Sequence, residues 1–388
     1  MGEEQSWVRV GASTLTDGGE ALEEAFAQLD LPASPKLLVV MAAPRYPLAP
    51  LAAALRQRLS DTALIGCSSS GEIASGAAIS HGLVLWALGG TGIRVSTGFG
   101  RSEEQGLRAA AAEAAGCLER LERRQHTALM LLSDGLSGDQ MEVVRGAYDV
   151  ATAEVPLVGG CAGDYLAMRS TQQLHDREVL EGAVVAAAIS SDRPLGVGVS
   201  HGWTPMGEPM LVTGSRGTQL SRLDDRAALD VYLDFFQPSE AVRHDPAAFA
   251  DFAATHPIGI RRRDRIEMRH ITGFDAEARS LVMVAEVPQG ALAFLTEGDV
   301  ESVLSAAEHS CELALAALEG TAAQGLLLFD CVSRRSVFRE DRVQEETELI
   351  RRCSGGVPMA GFYTYGEIAR TKGAGGFHNQ TLVTLAIG

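Results

Sequence analysis

Two short stretches of this chain combine glycines, hydroxyl side chains and a glutamate at the same spacing. Residues 64–75 read LIGCSSSGEIAS, and residues 359–370 read MAGFYTYGEIAR. Glycine lets backbone N–H groups come close to a bound molecule, because no side chain stands in the way. The Ser, Thr and Tyr hydroxyls add hydrogen-bonding groups, and the glutamate can accept an amine. This combination suits a zwitterionic ligand such as an amino acid, and we predict that both stretches line a ligand site.

Polar residues after other strand-like runs extend the predicted site. Asp134 with Ser137, the stretch VGGCAGD at residues 158–164, and Arg334 stand at such positions. If a helix follows each glycine-rich turn, its free N–H groups favour an anion. The alternative is structural: the glycines shape turns, and each glutamate satisfies neighbouring backbone N–H groups. The residues predicted to contact a ligand are Gly66, Cys67, Ser68, Ser69, Gly71, Glu72, Asp134, Gly160, Asp164, Gly361, Thr364, Tyr365 and Glu367.

Catalysis has weaker support in the sequence. The turn GCSSSG does not match the G-x-S-x-G nucleophile elbow. A P-loop is absent, and no G-x-G-x-x-G stands at a strand-to-helix turn. Cys67 or Cys161 could be a nucleophile at a helix start that lowers its pKa, but no histidine is tied to either by a local pattern. We therefore expect a binding protein, not an enzyme.

The elements that must position these residues repeat three times. A strand-like run, a helical segment, a second strand-like run, a glycine-rich end and an acid occupy residues 36–72, 127–164 and 325–367. This pattern predicts an α/β (mixed α+β) fold with buried β-sheets flanked by helices. Longer helices are expected at 103–123, 220–237 and 299–319, a hairpin within 269–290, and a final strand within 380–388.

The two glycine stretches also predict two related modules, whose equivalent corners they mark. The composition changes near residue 218, and the second part carries its own strands and its own copy of the stretch. We predict modules over residues 1–218 and 219–388.

Composition and charge narrow the class of partner. The 388 residues are 46% hydrophobic and 21% charged, with a net charge of −17 that repels nucleic acid and anionic membranes. The basic run RRRDR at residues 261–265 is expected to be solvated or ion-paired. None of the six cysteines forms C-x-x-C, which favours a reducing compartment. The N-terminus is acidic, and no apolar run reaches about 20 residues, so we expect a cytoplasmic protein.

At these residues the chain resembles the FIST sensory-domain family. The N-terminal pieces are IGCSSSGEI, DGLSGD, VGGCAGD and SHGW, and the C-terminal pieces are HPIGI, LLLFDC-x-x-R, P-x-A-G-F-Y-T-Y-G-E-I and HNQT. Their order and combined length span most of the chain. The resemblance implies an FIST N-type module followed by an FIST C-type module. It also implies an intracellular sensor that binds a small molecule and signals to a separate kinase, cyclase or chemotaxis protein.

Some stand-alone members of this family bind haem, sense nitric oxide and regulate a histidine kinase, and the resemblance favours this function here. A haem ligand needs a neutral imidazole within an apolar pocket. His201, beside Trp203, and His256, in THPIGI, are the predicted ligands, while ligation by a cysteine stays open. A sensor of an amino acid or another small metabolite, without haem, is the alternative. A homodimer is compatible with either function.

Overall fold

The computed structural model describes residues 5–262, 265–371 and 375–388, and in them the chain forms three consecutive units of one plan. Each unit runs strand, helix, strand, helix, strand, short hairpin and return strand. The third unit carries a large insertion between its first strand and its first helix. The predicted mixed α/β fold, with buried sheets flanked by helices, is confirmed.

The elements of the three units have the following bounds. The first unit contains β1 (Trp7–Ser13), α1 (Gly18–Gln28), β2 (Leu37–Ala42), α2 (Leu48–Arg58), β3 (Ala63–Ser68), β4 (Glu72–Ala74), β5 (Ala77–Ile79) and β6 (Leu83–Gly89). The second contains β7 (Ile93–Arg101), α3 (Ser102–Ala115), β8 (His126–Ser133), α4 (Met141–Ala151), β9 (Leu157–Cys161), β10 (Gln173–His175), β11 (Glu178–Leu180) and β12 (Ala183–Ser191). The third begins with β13 (Leu195–His201), and its insertion contains β14 (Thr204–Arg216), β15 (Gln219–Leu223), β16 (Arg226–Ala227), α5 (Ala228–Phe236), α6 (Glu240–His244), α7 (Pro246–Ala254), β17 (Ile258–Arg262), β18 (Arg265–Arg269), β19 (Ile271–Asp275), β20 (Ser280–Met283) and β21 (Leu292–Glu297). It continues with α8 (Val300–Ala316), β22 (Gly325–Cys331), α9 (Val332–Cys353), β23 (Met359–Thr364), β24 (Glu367–Arg370), β25 (Phe377–His378) and β26 (Thr381–Ile387).

The hairpin of each unit leaves its own sheet and completes the sheet of another unit. Strand β4 of the first unit pairs with β23 of the third, β24 of the third pairs with β9 of the second, and β10 of the second pairs with β3 of the first. The resulting sheet orders are β1-β6-β2-β3-β10-β11, β7-β12-β8-β9-β24-β25 and β13-β26-β22-β23-β4-β5. The exchange forms a closed cycle, so the two halves of the chain share sheets.

One glycine in each unit allows its central parallel strands to pack closely. A Cβ on Gly66 would lie 2.3 Å from the carbonyl oxygen of Val40, and one on Gly361 would lie 2.4 Å from that of Leu328. Gly159 holds the same register in the second unit, opposite Leu131. The structure thus gives a packing reason for Gly66 and Gly361, which both face a neighbouring strand.

The insertion adds a further sheet in the described part of the chain, ordered β18-β17-β21-β14-β15-β20-β19, with β16 beside β15. Hairpin β19–β20 confirms the predicted hairpin. The predicted helix at 220–237 is wrong in its first part, because residues 219–223 pair as strand β15. Asp224 and Asp225 then adopt φ values of 44° and 62°, which a right-handed helix does not allow.

The other expected elements are close to their predicted positions. Helices α3 and α8 and strand β26 match the segments at 103–123, 299–319 and 380–388, although a 3₁₀ turn at Gly116–Arg120 follows α3. The module boundary at residue 218 stays a prediction, and this residue lies in the turn between the paired strands β14 and β15. Residues 263–264 of the basic run lie outside the described residues. Within the described ranges, no helix is long and apolar enough to span a bilayer.

Candidate functional site

A strand, not a helix, follows each repeated glycine-rich turn. Strand β4 begins at Glu72 and β24 begins at Glu367. The condition for an anion site at a helix N-terminus is therefore not met at either turn. The chain must instead cross from one sheet to another at this point, and Gly71 makes the first crossing with a φ of 122°.

Each repeated glutamate joins the two ends of an exchanged hairpin. The buried Glu72 carboxyl bonds with the Ser69 hydroxyl and accepts the backbone N–H of Gly82 at 2.6 Å, directly before return strand β6. Glu367 bonds with the Thr364 hydroxyl in the same way. It also accepts the hydroxyl and N–H of Thr381, the first residue of β26, at 2.9 and 3.2 Å. The shared G-E spacing thus encodes the same hairpin junction twice.

The pKa of each repeated glutamate lies near neutral pH. Burial raises the pKa of Glu72 to about 7, although its bonds with Ser69 and Gly82 and the charge of Arg335 oppose the rise. Burial also raises the pKa of Glu367 to about 7, against its bonds with Thr364 and Thr381. Gln173 takes the equivalent register position in β10. The buried amide of Gln173 has no hydrogen-bond partner among the described residues, so the second unit does not repeat this junction.

Asp134 and Asp164 are fully engaged by protein donors. Asp134 accepts the N–H groups of Leu136 and Gly182, both at 2.8 Å. Asp164 accepts the Tyr365 hydroxyl and the N–H groups of residues 168–170. Although burial acts to raise the pKa of Asp164, these hydrogen bonds hold it below its usual value. These contacts order loops, and a role in ligand contact stays a prediction for both residues.

The other predicted contact residues lie in or beside the central strands. Cys67 and Ser68 are buried in β3, Gly160 is buried in β9, and Thr364 is buried at the end of β23. The turns at Ser70, Asp164 and Tyr365 meet, because Tyr165 N–H donates to Ser70 Oγ at 3.0 Å and Leu166 N–H donates to the Tyr365 hydroxyl at 2.7 Å. The structure therefore brings these three corners together through their own hydrogen bonds.

A cluster of charged groups is buried where β22 meets α9. Arg334 Nε donates to Asp330 Oδ1 at 2.8 Å, and Arg334 Nη2 bonds with Glu346 and with the carbonyl oxygen of Val303. Tyr363 stands opposite Asp330 in the strand register. We call Asp330, Arg334, Glu346 and Tyr363 the charged cluster, and each of these four residues is 0% exposed.

Two members of the charged cluster keep a polar atom without a hydrogen-bond partner among the described residues. These atoms are Arg334 Nη1 and the Tyr363 hydroxyl oxygen. The carboxyl groups of Asp330 and Glu346 bond with each other through a shared proton. An unpaired buried polar group costs about 1–3 kcal/mol, and nearly all such groups in native proteins find a partner. Two such atoms in one buried cluster are a feature of a site that binds a small polar molecule.

The electrostatics of the charged cluster favour an extra positive charge. Burial raises the pKa of Asp330 well above its usual value, and the negative charge of Glu346 raises it further, against the opposing effect of Arg334. Burial and the two acids also raise the pKa of Tyr363, which keeps its hydroxyl proton. The carboxyls of Asp330 and Glu346 therefore share a proton.

Equivalent positions in the other units carry small neutral side chains. Asp330 and Tyr363 lie two residues beyond the Leu328–Gly361 register pair. The matching pairs are Ala42 with Ser68 in the first unit and Ser133 with Cys161 in the second. The fold therefore does not require charged side chains at this position. The charged pair Asp330 and Arg334 is a feature of the third unit and is not part of the plan that the units share.

Sequence reasoning found one member of this cluster and missed three. Arg334 was predicted from its place after a strand-like run. Asp330 stands four residues before Arg334 in the motif LLLFDC-x-x-R, but it lies at the end of β22 and Arg334 lies in the first turn of α9, so helical spacing does not predict their contact. Glu346 and Tyr363 carry no comparable signal, because only the packing of α9 and β23 brings them to Arg334.

The predicted nucleophilic thiols are deeply buried. Burial raises the pKa of Cys161 to about 12, and burial raises the pKa of Cys67 further. Neither thiol follows the expected pattern of a helix start, since both lie at strand ends. A reactive thiolate is disfavoured at both positions.

The two predicted haem ligands differ in whether both imidazole nitrogens have hydrogen-bond partners among the described residues. His201 Nδ1 accepts the N–H of Trp203 at 3.3 Å, and Nε2 lies 3.2 Å from the carbonyl oxygen of Ile266. Both nitrogens are engaged, so His201 does not fit an axial ligand. His256 Nδ1 lies 2.8 Å from the carbonyl oxygen of Phe252, and Nε2 has no hydrogen-bond partner among the described residues. Its ring stacks on Phe252 at 4.0 Å, in the apolar setting that haem requires.

An open cleft of about 520 Å³ lies away from all these residues. Its lining residues are Gln125, His126, Asp192, Arg193, Pro194, Glu319, Thr321 and Ala322. It is found near the beginnings of β8 and β22, at the opposite ends of these strands from the charged cluster. None of the predicted ligand contacts lines it.

The fold defines an α/β protein of three exchanged units. Comparison with known families identifies it further. The FIST N domain matches residues 36–226, and the FIST C domain matches residues 228–370. The chain belongs to the FIST family and is an FIST sensory-domain protein.

Relatives of this chain are known from mycobacteria. An uncharacterized protein of Mycobacterium tuberculosis is 25% identical over 391 residues, covering 96% of this chain and 97% of that protein. An uncharacterized protein of Mycobacterium bovis is 27% identical over 229 residues, covering 58% of each. The match thus spans less than two thirds of the length of the latter relative.

Proposed function

We propose that this protein senses a small polar molecule at the charged cluster and passes its state to a separate signalling protein, such as a histidine kinase. The observation that carries this proposal is that Arg334 Nη1 and the Tyr363 hydroxyl oxygen are buried without a hydrogen-bond partner among the described residues. The equivalent register positions of the other units carry small neutral side chains, so the fold does not require the charged cluster.

Helix α9 contacts both the charged cluster and hairpin β4–β5. It contributes Arg334 and Glu346 to the cluster. The same helix holds the exchanged hairpin β4–β5: Gln344 bonds with both backbone groups of Ala78, at 2.9 and 2.7 Å, and Thr347 donates to the carbonyl oxygen of Gly76. A bound ligand that shifts α9 would also move hairpin β4–β5. This coupling supports the hairpin as the surface that contacts the signalling protein.

The test uses the small-molecule fraction of a cell extract that passes a dialysis membrane. This fraction should raise the melting temperature of the dialysed protein, because a ligand that binds only the folded state stabilises that state. A candidate kinase should then change its autophosphorylation rate when the protein is added with and without the fraction. An unchanged melting temperature would remove the sensor proposal at this site, and an unchanged kinase rate would remove that kinase as partner.

Haem-based sensing of nitric oxide is the second candidate, favoured by His256 Nε2, which has no hydrogen-bond partner among the described residues and lies on a ring beside Phe252 and Phe236. If haem were bound, His256 would hold it, and the haem would supply an iron centre for a diatomic gas. The reconstituted protein should show a Soret band that is lost in His256→Ala and kept in His201→Ala. Equal spectra in both variants, or no stoichiometric haem uptake, would exclude this candidate.

A further inference from the structure

Two cysteines on different helices of the third unit lie against each other. Cys311 is buried in α8, whereas Cys353 is the last residue of α9 and is partly exposed. Their thiols hydrogen-bond to each other. Cys353 Sγ also lies 4.0 Å from the carbonyl oxygen of Glu308, about one turn of α8 before Cys311. A disulfide needs its sulfur atoms about 2 Å apart, so thiols that are already in contact need only a small further approach.

The end of α9 is the side of this contact that can make the approach. Cys311 is 0% exposed and packs in the apolar core beneath α8. Gly355 and Gly356 follow α9 in an exposed turn, with φ values of 71° and 78°. A Cβ on Gly355 would meet no other atom within 4 Å, so this turn has room to adjust. The Cys353 sulfur can therefore move toward Cys311 while the core stays in place.

Cys353 is also the thiol that a dissolved reagent can reach, because the other five cysteines are buried. Burial raises the pKa of both Cys311 and Cys353, and the charges of Glu312 and Glu308 raise both further. The hydrogen bond between the thiols acts in opposite directions, since it raises the pKa of Cys311 and lowers that of Cys353. Cys353 therefore ionises more readily and is the thiol that attacks first.

We propose that Cys311 and Cys353 form a modification site, at which a low-molecular-weight disulfide oxidises the two thiols to a reversible internal disulfide. Glu308 and Glu312 are exposed beside the pair, and their charges favour a neutral or cationic disulfide over an anionic one. In a reducing compartment the pair stays reduced until such disulfides accumulate. The reaction needs no ligand at the charged cluster.

The oxidation consists of two thiol–disulfide exchanges. Cys353 loses its proton, and its thiolate attacks one sulfur of the small disulfide, whose S–S bond breaks to release one small thiolate. Cys311 then loses its proton and attacks Cys353 Sγ, which forms the internal bond and releases the second small thiolate. The two released thiolates take up the two protons. Both cysteines are thus oxidised, and one small disulfide is reduced to two thiols.

The internal disulfide would restrain hairpin β4–β5 through α9. Gln344 and Thr347 of this helix hydrogen-bond with the hairpin. Arg351, two residues before Cys353, packs beside Gly76, where a Cβ would lie 2.5 Å from Arg351 Cδ. A bond from Cys353 to α8 fixes this end of α9. Oxidation should therefore slow hydrogen exchange at the amides of residues 76–79 severalfold.

The experiment oxidises the full chain with cystamine, a small cationic disulfide, and identifies the products by mass spectrometry. Cleavage after glutamate places Cys311 in residues 309–312 and Cys353 in residues 349–367, so the bond between them gives one defined cross-linked peptide. Wild type should give this peptide, and dithiothreitol should remove it. Oxidised glutathione is anionic and should react more slowly than cystamine, when each rate is divided by the rate of that reagent with free cysteine.

Three variants assign the roles of the two thiols. Cys311→Ala should stop at a mixed disulfide between Cys353 and half of cystamine, because the second thiol is absent. Cys353→Ser changes a partly exposed residue at a helix end, so it should fold and form neither product. Cys117→Ala is the matched control, because it removes a buried thiol of the second unit and should keep the cross-linked peptide.

The inference is overturned if oxidised wild type keeps both thiols or stops at the mixed disulfide. It is also overturned if Cys353 pairs with another cysteine or links two chains, which a non-reducing gel detects. If the internal disulfide forms but hydrogen exchange at residues 76–79 is unchanged, the restraint on the hairpin is overturned. The sensor proposal is tested separately, since neither the cross-linked peptide nor its loss depends on the dialysable fraction.

Discussion

Neutral pH should destabilise the hairpin junctions, and replacing Glu72 or Glu367 by Gln should remove this effect. The pKa of each carboxyl rises from 4.5 to about 7 on folding, with burial as the main cause. Such a rise means that folding favours the protonated form. The associated stability is fully present below pH 4.5 and is lost as the pH rises through 7. The rise corresponds to about 3 kcal/mol for each group.

Gln keeps the shape of the protonated carboxyl, including a donor for Ser69 or Thr364 and an acceptor for the backbone N–H. Each Gln variant should therefore match wild type at pH 5 and exceed its free energy of unfolding by up to about 3 kcal/mol at pH 8. The double variant should show the sum, because the two junctions share no hydrogen-bonding residue. Urea denaturation between pH 5 and 8 measures this difference, with Glu348→Gln on the exposed face of α9 as the control.

The reasoning would be refuted if the Gln variants were less stable than wild type at pH 8. It would also be refuted by a stability difference that is the same at every pH. Either result would mean that the ionised carboxylates hold the hairpins, and that hydrogen bonding outweighs burial at these junctions.

Three other substitutions test the packing of the corners. Gly361→Val should unfold the protein or lower its melting temperature strongly, since its Cβ would lie 2.4 Å from the Leu328 carbonyl oxygen; a melting curve like wild type contradicts this. Arg334→Met should cost about 3–5 kcal/mol in urea denaturation at pH 7, because it leaves two acids buried without their base; a neutral effect would argue against the ion pairs. Asp164→Ala should speed hydrogen exchange at the amides of residues 168–170, and unchanged rates would show that other contacts order this loop.

The sequence predicted the units of this fold better than their connection. The three strand–helix–strand patterns are local, and the apolar runs that form β2, β8 and β22 are visible in the printed chain. The destination of each hairpin is not local, because β4 pairs with β23 nearly 300 residues later. Whether a helix or a strand follows the turn before Glu72 was left open for the same reason: only the remote partner strand determines that the chain stays extended.

The candidate site was predictable only where it depends on one segment. Arg334 was found because it follows a strand-like run by a few residues. Tyr363 was passed over although it stands inside the quoted stretch MAGFYTYGEIAR, since its importance comes from the Asp330 side chain on the neighbouring strand. Glu72 and Glu367 drew attention through repetition, and their repeated partners, Ser69 and Thr364, give a structural reason for it.

Native mass spectrometry tests the central claim most directly, that a small molecule occupies the charged cluster. Wild type and Tyr363→Phe would each be incubated with the dialysable fraction and sprayed under non-denaturing conditions. We predict a non-covalent adduct of small mass on wild type that is reduced severalfold on Tyr363→Phe and unchanged on Tyr365→Phe. No adduct on wild type, or equal occupancy on all three proteins, would contradict the account.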